Sequence, residues 1–527
     1  MTEQSSDTYK KSRLIEIQTM MDNNINPNPD TFRQTITSDE MFRKDFSSLS
    51  NNQTFDDLIS IGGRVINKKE AGKLCFLTLL LSDNVNQKTI QCIIRHGTYD
   101  LNHIAENDRL REFKSLVKSL NRSDIIGVTG CIGKSNTGEL SIFVTNFVIL
   151  SRNVQILPTQ YFGLSDIEKC ERLRHLDMLI NPKSFKTLTF IPLVTSHIRQ
   201  TLQLNGFLEV STSILSAQAG GAIAKPFITH LNDLNIDFYM RIAPELYLKM
   251  LIVSGMSKIF ELGKQFRNEG IDNTHLPEFT SIEIYQAYVG YNEMMNLAEM
   301  IISSCVQFSN DKFYNKSIDF QLSCKTFDDT DNFVDIDFKP PFKRIDFITG
   351  IEEASGYKLP TEFDSDASRL QLLNILQKEN IQCTPPLTTS RILGKLIEHY
   401  VEKKCINPTF ICGHPAIMSP LAKRDPNNSQ LTQRFELFIA GKEFANGYTE
   451  QNNIIHQRHA FEQQLKDKNN GDDEAHGIDE VFMNAIETGL PPTGGLGIGI
   501  DRLMMLLTGT NRIQNVVFFP PMKPKEQ

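Results

Sequence analysis

Residues 434–452 read RFELFIAGKEFANGYTEQN, and the rest of the sequence can be interpreted from them outward. The alternation of apolar and polar residues predicts a β-hairpin with a two-residue turn at Ala440–Gly441. Such a turn places Glu436 and Glu443 on one face of the hairpin. Two carboxylates in this arrangement can hold Mg²⁺, which takes few protein oxygens and completes its shell with phosphates. The alternative is a hairpin whose glutamates are only solvated.

Three further polar side chains of this hairpin share a face by the period of two: Asn446, Tyr448 and Glu450. Their parity is opposite to that of Glu443. A β-bulge near Ala445 is therefore needed to direct all five polar side chains into one site. The sequence predicts this bulge only through that requirement.

A glycine-rich segment, PTGGLGIGIDRLMMLLTG, follows at residues 492–509. It predicts a strand that runs into a helix, with glycines that let a ligand approach the backbone closely. Arg502 falls in the first turn of that helix, where its charge and the helix N-terminus both favour a phosphate. The segment matches neither the G-x-G-x-x-G nor the Walker pattern, so it is a weak signal by itself.

Residues 258–288, KIFELGKQFRNEGIDNTHLPEFTSIEIYQAY, predict a strand, a charged loop and a second strand. The loop carries three side chains that can contact a ligand: Arg267, Glu269 and His275. In the second strand, Phe279, Glu283 and Tyr285 share one face. An arginine fork, an aromatic ring and a carboxylate on one sheet face can hold a phosphate, a flat base and an amine. The alternative is a surface hairpin with salt bridges.

The N-terminal part of the chain has a different character. Between residues 56 and 155, five short β-type runs accompany one helix-like segment, AENDRLREFKSLVKSL. This content fits a small closed barrel of the oligonucleotide-binding type, the OB-fold, and the alternative is another small β barrel or sandwich. We expect an N-terminal helix and linker at 1–55, the barrel at 56–155 and one large α+β domain at 165–527.

Composition limits the kinds of protein that this chain can be. Its 527 residues are 40% apolar and carry 55 basic against 63 acidic side chains, a formal charge of −8. This balance disfavours a purely electrostatic nucleic-acid binder, but it allows a local basic groove. Nine scattered cysteines without a CxxC pair argue against a disulfide framework and fit a reducing compartment. Since no apolar run reaches the length of a membrane helix, we expect a cytoplasmic protein without membrane contact.

Together, the three C-terminal segments resemble motifs 2 and 3 of the class II aminoacyl-tRNA synthetases, and the chain is identified as a member of the lysyl-tRNA synthetase family. Further stretches carry the resemblance: GGAIAKPFITHLNDLNIDFYMRIAPELYLKM (220–250), NPTFICGHPAIMSPLAK (407–423), the pair Gly63–Arg64, Phe76, Gln91 and GELSI (138–142). The resemblance implies an α+β fold. An N-terminal five-stranded β-barrel (OB-fold) is followed by a class II catalytic domain built on an antiparallel β-sheet flanked by helices.

The resemblance further implies an ATP-dependent lysine–tRNA ligase that acts as a homodimer on ATP, L-lysine and tRNA(Lys), with Mg²⁺ as cofactor. The residues implied for lysine are Gly220, Glu245, Arg267, Glu283, Tyr285, Asn446, Tyr448, Glu450 and Gly495. Those implied for ATP are Arg267, Glu269, His275, Phe279, Glu436 and Arg502. Arg267 and Arg502 are implied as catalytic, and Glu436 and Glu443 as magnesium ligands. In the barrel, the residues implied for the anticodon are Arg64, Phe76, Gln91 and Glu139.

Among class II synthetases that resemble this chain, the residue at the position of Glu450 distinguishes most sharply which amino acid is bound. In the related aspartyl enzymes, the corresponding strand carries an arginine that matches an acidic side chain. A carboxylate at 450 inverts that charge, so lysine is attracted and aspartate is repelled. The resemblance accordingly implies that Glu245 binds the α-ammonium of lysine, Arg267 its carboxylate and Glu450 its ε-ammonium.

Three alternative functions remain at this point. Glu450 argues against an aspartyl- or asparaginyl-type synthetase. A lysyl-transferase paralogue that modifies a protein would lack the barrel. A catalytically inactive paralogue is supported only by GFLEVSTS (206–213), in which Ser211 and Ser213 replace the acid and the proline usual in motif 1. Motif 1 builds the dimer interface in class II enzymes.

Overall fold

The structure is a computed structural model that describes residues 3–83, 85–158, 163–218, 220–222, 224–327, 332–469 and 477–524. The chain forms two compact units, Met1–Thr189 and Phe190–Gln527. Each unit has its own hydrophobic core. A search of the described helices for one that is long and apolar enough to span a membrane found none.

The first unit is built around a closed five-stranded barrel. Its strands are β1 (Thr54–Ala71), β2 (Leu74–Ser82), β3 (Gln87–Arg95), β4 (Ile125–Lys134) and β5 (Leu140–Ser151). Its helices are α1 (Glu3–Asp22), α2 (Ser38–Arg43), α3 (Arg109–Ser119), α4 (Ile167–Arg172) and α5 (Arg174–Ile180). The strand order β1-β2-β3-β5-β4, with α3 between β3 and β4, confirms the predicted OB-fold.

Alternation along the strands sorts side chains between the interior and the exterior of the barrel. In β2, Cys75, Leu77 and Leu79 lie in the barrel core. Phe76 and Thr78 alternate with them and are only partly buried. The apolar run LCFLTLLLS therefore has one inward and one outward face, as a strand on a closed barrel requires.

Helix α1 is anchored to the barrel by a buried ion pair. Arg13 is 1% exposed, and its guanidinium lies 2.5 Å from a carboxylate oxygen of Asp124. Its Nε also donates a hydrogen bond to the backbone carbonyl of Asn153 at 3.0 Å. Arg13 therefore fixes the position of α1 against the barrel.

The second unit is built on an eight-stranded sheet. Its helices are α6 (Pro182–Leu204, which begins in the first unit), α7 (Glu245–Val253), α8 (Tyr291–Lys312), α9 (Phe347–Ser355), α10 (Asp366–Lys378), α11 (Thr389–Tyr400), α12 (Ile454–Asn469), α13 (Glu480–Gly489) and α14 (Ile500–Thr508). Its strands are β6 (Leu208–Glu209), β7 (Leu215–Ser216), β8 (Ile228–Leu231), β9 (Ile236–Met240), β10 (Lys258–Phe266), β11 (Glu278–Ala287), β12 (Gln321–Lys325), β13 (Phe333–Asp337), β14 (Lys343–Asp346), β15 (Thr409–Cys412), β16 (Arg434–Ile439), β17 (Lys442–Thr449) and β18 (Thr493–Gly499).

The large sheet has the order β14-β15-β16-β17-β18-β11-β10-β6. Its inner pairs are antiparallel, and the outermost pairs β14–β15 and β10–β6 are parallel. Two small sheets, β12–β13 and β7-β9-β8, accompany it. The two units together confirm the predicted α+β class.

One face of the large sheet is buried against helices. Phe435, Leu437 and Ile439 of β16 share a core with side chains of α8 and α14. Glu436 alternates with them and therefore points to the opposite face of the sheet. That opposite face lines a cavity.

Candidate active site

A cavity of about 430 Å³ lies on the open face of the large sheet. Its lining includes every residue that the sequence predicted for lysine, ATP and Mg²⁺: Gly220, Glu245, Arg267, Glu269, His275, Phe279, Glu283, Tyr285, Glu436, Glu443, Asn446, Tyr448, Glu450, Gly495 and Arg502. These residues come from four strands, two helices and three connecting segments. The fold therefore brings together side chains that are widely separated in sequence.

A β-bulge in β17 directs the polar side chains of the hairpin into this cavity. Ala445 pairs with Leu437, but the next pair along is Glu443 with Phe438, so Phe444 is an extra residue in β17. Phe444 and Ala445 both face the core. The bulge confirms the prediction made from the parity of the hairpin, because Glu443 and the later polar residues now share the cavity face.

Glycines of β18 form the floor of the cavity. Gly495 lies between Tyr448 of β17 and Tyr285 of β11 in the register of the sheet. A Cβ atom at Gly495 would lie 2.0 Å from Oε1 of Glu450, and one at Gly497 would lie 3.0 Å from Oε1 of Glu283. Any side chain at Gly495 would therefore displace the carboxylate beside it.

One end of the cavity is acidic and deeply buried. Glu450 is 0% exposed, and its Oε1 atom has no hydrogen-bond partner among the described residues. Lys249 Nζ, also fully buried, lies 2.6 Å from Oε1 of Glu245 and contacts Oε2 of Glu450. The hydroxyl of Tyr448 donates to Oε1 of Glu245 at 2.5 Å. Oε1 of Glu450 is therefore a buried acceptor that a cation can satisfy.

Lys249 is a component of the site that the sequence analysis did not assign. The signal was available, because Glu245 and Lys249 are four residues apart in the otherwise apolar helix ELYLKMLIV. A lone charged pair of that spacing inside an apolar helix predicts a buried ion pair. Its second partner, Glu450, lies on a distant segment that local spacing does not reveal.

Burial raises the pKa values of the carboxylates at this end. Burial, reinforced by Glu245, raises the pKa of Glu283 to about 8. Burial also raises the pKa of Glu450, and the ammonium of Lys249 opposes that shift. Burial acts to lower the pKa of Lys249, but Glu245 and Glu450 outweigh it, so the pKa of Lys249 is raised. The acidic end is thus short of positive charge and favours a cationic ligand.

The other end of the cavity is rich in arginine. The guanidinium of Arg267 lies 5.0 Å from the ring centroid of Phe279, and its buried Nε has no partner among the described residues. Arg502 contacts the backbone carbonyl of Glu443, and its NH2 group lies 3.2 Å from Nε2 of His275. Two arginines and an aromatic ring suit a ligand with phosphates and a flat base.

The loop that carries Glu269 and His275 is held by local hydrogen bonds. Nδ1 of His275 lies 2.9 Å from Oδ2 of Asp272, and the backbone N–H of Thr274 donates to Oδ1 of Asp272 at 2.6 Å. Burial would raise the pKa of Asp272, but these hydrogen bonds lower it to about 2. The N–H of Glu269 donates to the carbonyl of Arg267 at 2.8 Å. Asp272 therefore fixes the loop from which His275 reaches Arg502.

Glu436 and Glu443 differ in how far their charges are compensated. Arg434 lies 2.6 Å from Oε1 of Glu436, and Nε2 of His414 lies 3.3 Å from Oε2. Despite burial, these two neighbours lower the pKa of Glu436 to about 2. Burial and the charge of Glu436 raise the pKa of Glu443 to about 7. Glu443 is therefore the carboxylate that gains most from a nearby cation.

The chemistry of this donor set fits Mg²⁺. The described residues contain no group of three or more His, Cys, Asp or Glu that could enclose a metal ion. Mg²⁺ commonly takes one or two carboxylates together with substrate phosphates and water. Each oxygen of Glu436 retains a second lone pair beside its contact with Arg434 or His414. Arg434 and His414 were not assigned from the sequence, although both lie in segments that carried the resemblance.

The residues predicted for the anticodon lie on the outer face of the barrel. Phe76 is opposite Ile93, and Thr78 is opposite Gln91, which is next to Ser141. Nε2 of Gln91 donates to Oε2 of Glu139 at 2.8 Å. Phe76, Gln91 and Glu139 therefore lie in neighbouring rows of one surface.

Arg64 lies on the same outer face, opposite Leu80 of β2. Its NH1 group donates to the backbone carbonyl of Ser123 at 2.8 Å. Burial lowers the pKa of Arg64, and Asp124 opposes that shift. Its guanidinium is therefore oriented by the barrel itself.

Comparisons with known proteins agree with both halves of the chain. A family model described as tRNA synthetases class II (D, K and N) matches residues 166–523. A second, described as OB-fold nucleic acid binding domain, matches residues 59–150. Together the two matches cover most of the chain.

The similar proteins are named as lysine–tRNA ligases. A probable cytoplasmic lysine–tRNA ligase of Encephalitozoon cuniculi is 42% identical over 471 residues, which is 89% of this chain and 88% of that protein. A lysine–tRNA ligase of Prochlorococcus marinus is 40% identical over 517 residues, 98% and 96% of the two chains. One of Enterococcus faecalis is 39% identical over 520 residues, 97% and 96% of the two chains. The chain therefore belongs to the lysine–tRNA ligase family of class II tRNA synthetases.

Proposed function

We propose that the chain activates L-lysine with ATP to give lysyl-adenylate and pyrophosphate, and then transfers lysine to the 3′ end of tRNA(Lys). The observation that carries this proposal is the buried carboxylate of Glu450 at the acidic end of the cavity, whose Oε1 atom has no hydrogen-bond partner in the described part of the chain. A buried acceptor without a partner is costly unless a ligand satisfies it. An ammonium group at the end of an extended side chain meets that requirement.

Lysine lies with its two ammonium groups at the acidic end. Glu450 binds the ε-ammonium, with Tyr285, Asn446 and Tyr448 around it. Glu245 receives the α-ammonium, together with Glu283. Gly220 and Gly495 leave room for the substrate, since both line the cavity. Arg267 binds the carboxylate and so directs the reacting group towards the arginine-rich end.

ATP occupies the arginine-rich end. Phe279 stacks on adenine, and Glu269 positions the nucleotide. His275 and Arg502 contact the outer phosphates, while Arg267 contacts the α-phosphate. Glu436 and Glu443 hold Mg²⁺, which supplies positive charge to the phosphates when bound. The support for this arrangement is that the buried Nε atoms of Arg267 and Arg502 have no hydrogen-bond partner among the residues that the structure describes, and that the pKa of Glu443 is raised.

Adenylate formation then needs no nucleophile from the protein. The carboxylate of lysine attacks the α-phosphate, the bond from that phosphorus to the bridging oxygen breaks, and pyrophosphate leaves. Arg267 binds both reacting groups and neutralises charge as the new bond forms, and Arg502 stabilises the leaving phosphates. Positioning and electrostatic stabilisation account for catalysis of this kind. The 3′-terminal ribose hydroxyl of tRNA next attacks the mixed anhydride and releases AMP.

The barrel binds a uridine-rich anticodon. Unstacked bases can lie on an aromatic ring and be recognised along their edges. Phe76 provides the ring, and Arg64, Gln91 and Glu139 provide the edge contacts. The support is their common position on the outer face of the barrel.

The proposed domains are an N-terminal helix and linker at 1–55, the anticodon barrel at 56–155 and the catalytic domain at 165–527.

The second unit forms a homodimer through the segment that follows α6. Large apolar side chains in this region are unusually exposed: Leu204, Leu208, Ile214, Leu215, Ile228, Leu231, Leu234 and Ile236. An exposed apolar patch of this kind is typical of a protein interface. The segment includes GFLEVSTS, so Ser211 and Ser213 need not prevent dimer formation. We infer a cytoplasmic location from two relatives whose names describe them as cytoplasmic.

ATP–pyrophosphate exchange across the twenty amino acids, with Mg²⁺ and without tRNA, tests the proposed reaction. We expect exchange with lysine alone. Exchange with aspartate or asparagine would retain the class II reaction and overturn the role of Glu450. If the folded protein supports no exchange with any amino acid, the proposed enzymatic activity is wrong and an inactive paralogue is favoured.

A further inference from the structure

Lys249 is a buried cation that does not belong to the cavity lining. It lies on α7, is 0% exposed and contacts one oxygen each of Glu245 and Glu450. Its Nζ atom lies 5.6 Å from the ring centroid of Tyr448 and 5.5 Å from that of Phe482. Two carboxylates and two aromatic faces therefore surround one ammonium group.

Lys249 is not required to fill space. The helix around it, ELYLKMLIV, is otherwise mostly apolar, and an unbranched apolar side chain of similar length would fill the same volume. Burying an ammonium group carries a large desolvation penalty, so a buried ion pair by itself is weak support for a role in stability. The position of Lys249 between two substrate-binding carboxylates requires another explanation.

The formal charges around the lysine site supply that explanation. The acidic end contains the carboxylates of Glu245, Glu283 and Glu450. Lys249 contacts two of these carboxylates, and Arg267, where the two ends of the cavity meet, interacts electrostatically with Glu283. With all three carboxylates ionised, the form that a bound cation favours, the site carries one net negative charge. Lysine, with two ammonium groups and one carboxylate, carries one net positive charge. The charge of the substrate and the charge of the site therefore cancel only while Lys249 is present.

We propose that Lys249 is a specificity-determining residue that sets the net charge of the lysine site and holds Glu245 and Glu450 in place. It acts through these two carboxylates and does not touch the substrate, so it is a positioning residue. It occupies Oε2 of Glu450 and leaves Oε1 for the ε-ammonium. This inference rests on the proposed placement of lysine against Glu450.

The site should reject a ligand whose net charge differs from that of lysine. Cadaverine has the two ammonium groups of lysine and no carboxylate, so it carries two positive charges. With Lys249 present, cadaverine leaves the buried site with an uncompensated positive charge. Without Lys249, the site carries two net negative charges and matches the diamine. Removing Lys249 should therefore shift selectivity from lysine towards cadaverine.

Two variants test this shift: Lys249→Met, which is neutral and close in length, and Lys249→Gln, which is neutral but retains a hydrogen-bond donor. The matched control is Lys312→Met, which removes the charge of a half-exposed lysine at the end of α8. This helix packs on the face of the large sheet opposite to the cavity. The lysine KM and kcat are measured by ATP–pyrophosphate exchange, and the inhibition constant of cadaverine against lysine is measured in the same assay.

In both Lys249 variants we expect the lysine KM to rise at least about tenfold, with a smaller change in kcat because both arginines remain. We expect the ratio of the cadaverine inhibition constant to the lysine KM to fall at least about tenfold. Lys312→Met should leave both quantities within about twofold of the parent protein. Lys249→Gln keeps the test usable if Lys249→Met does not fold.

Two results would overturn the proposal. If both ligands weaken in parallel and the ratio is unchanged, Lys249 only supports the structure. If the lysine KM falls, Lys249 competes with the substrate for Glu450. Failure of the proposed function is distinguishable, because the unsubstituted protein would then show no lysine-dependent exchange.

Discussion

Contacts from two elements, α7 and β18, determine how Glu450 can bind a cation. Lys249 of α7 contacts Oε2, and Gly495 of β18 leaves room for Oε1. The backbone N–H of Glu450 donates to the carbonyl of Thr493 at 2.8 Å. The carboxylate is therefore fixed on one side and open to a ligand on the other.

Replacement of Glu450 by glutamine should abolish most lysine binding. Glu450→Gln keeps the shape of the side chain and removes the counter-charge of a buried ammonium, which weakens binding by about 3 kcal/mol or more. We expect the lysine KM to rise at least about a hundredfold in ATP–pyrophosphate exchange. Glu353→Gln, on an exposed position of α9, is the matched control and should behave like the parent protein. An unchanged lysine KM in Glu450→Gln would show that the ε-ammonium binds elsewhere.

Glu283 should make lysine affinity depend on pH. Its pKa of about 8 means that the carboxyl is mostly protonated at neutral pH, and an arriving ammonium favours the ionised form. Lysine binding should therefore release a proton, and affinity should rise as the pH increases towards about 8 and then level off. Calorimetry in buffers of different ionisation enthalpy measures the proton release. Glu283→Gln should bind more weakly and lose this dependence, and proton uptake on binding to the parent protein would contradict the assignment.

At the level of single elements, β18 determines the space available in the site. Its glycines lie between two strands that carry large polar side chains, so the floor of the cavity is backbone. This arrangement follows from the sequence, because alternate glycines in GGLGIG place hydrogen atoms where side chains would otherwise project. The sequence does not reveal which strands lie beside β18 and place their side chains in that space.

Gly495→Ala should interfere with lysine more than with ATP. The added Cβ would lie 2.0 Å from Oε1 of Glu450 and 2.8 Å from Cε1 of Tyr285, so the carboxylate must move. We expect the lysine KM to rise at least about tenfold, with a smaller change in the ATP KM. Gly394→Ala in α11 is the control, since its added Cβ meets only Met418 at 3.9 Å. Equal increases in both KM values would indicate that the whole sheet is distorted.

Sequence predicted those parts of the site that depend on local alternation. The faces of β11, β16 and β17 follow from the period of two, and the bulge follows from the conflict between Glu443 and Asn446. Arg434 and His414 were missed because their contacts with Glu436 depend on how neighbouring segments pair. Four-residue strands such as β15 and β14 are also poorly marked by sequence, since they obtain their stability from the sheet that they join.

At the level of the whole molecule, the two units divide the proposed reaction. The barrel has its own core and so does the catalytic sheet. Adenylate formation uses only side chains of the second unit, whereas anticodon recognition uses only the first. A substitution on the barrel surface should therefore separate the two steps.

Phe76→Ala should reduce tRNA aminoacylation and leave lysine-dependent ATP–pyrophosphate exchange unchanged. Loss of one stacked base weakens binding by about 1–3 kcal/mol, so we expect the tRNA KM to rise about five- to a hundredfold. Leu77→Ala is the matched comparison, because Leu77 is 1% exposed in the barrel core and its loss should lower the unfolding temperature of the barrel. A parallel loss of both activities in Phe76→Ala would assign Phe76 a structural role.

Phe444 also determines which change of length this hairpin can tolerate. Removing Phe444 would restore regular pairing and leave Glu443 and Asn446 on the cavity face, because the residues that flank the bulge keep their partners in β16. The loss would fall on the hydrophobic core, in which the side chain of Phe444 is buried. Removing Gly447, from the regular part of β17, would instead turn either Asn446 or Tyr448 towards that core. Related proteins should therefore lose the extra residue more readily than any other residue of this strand.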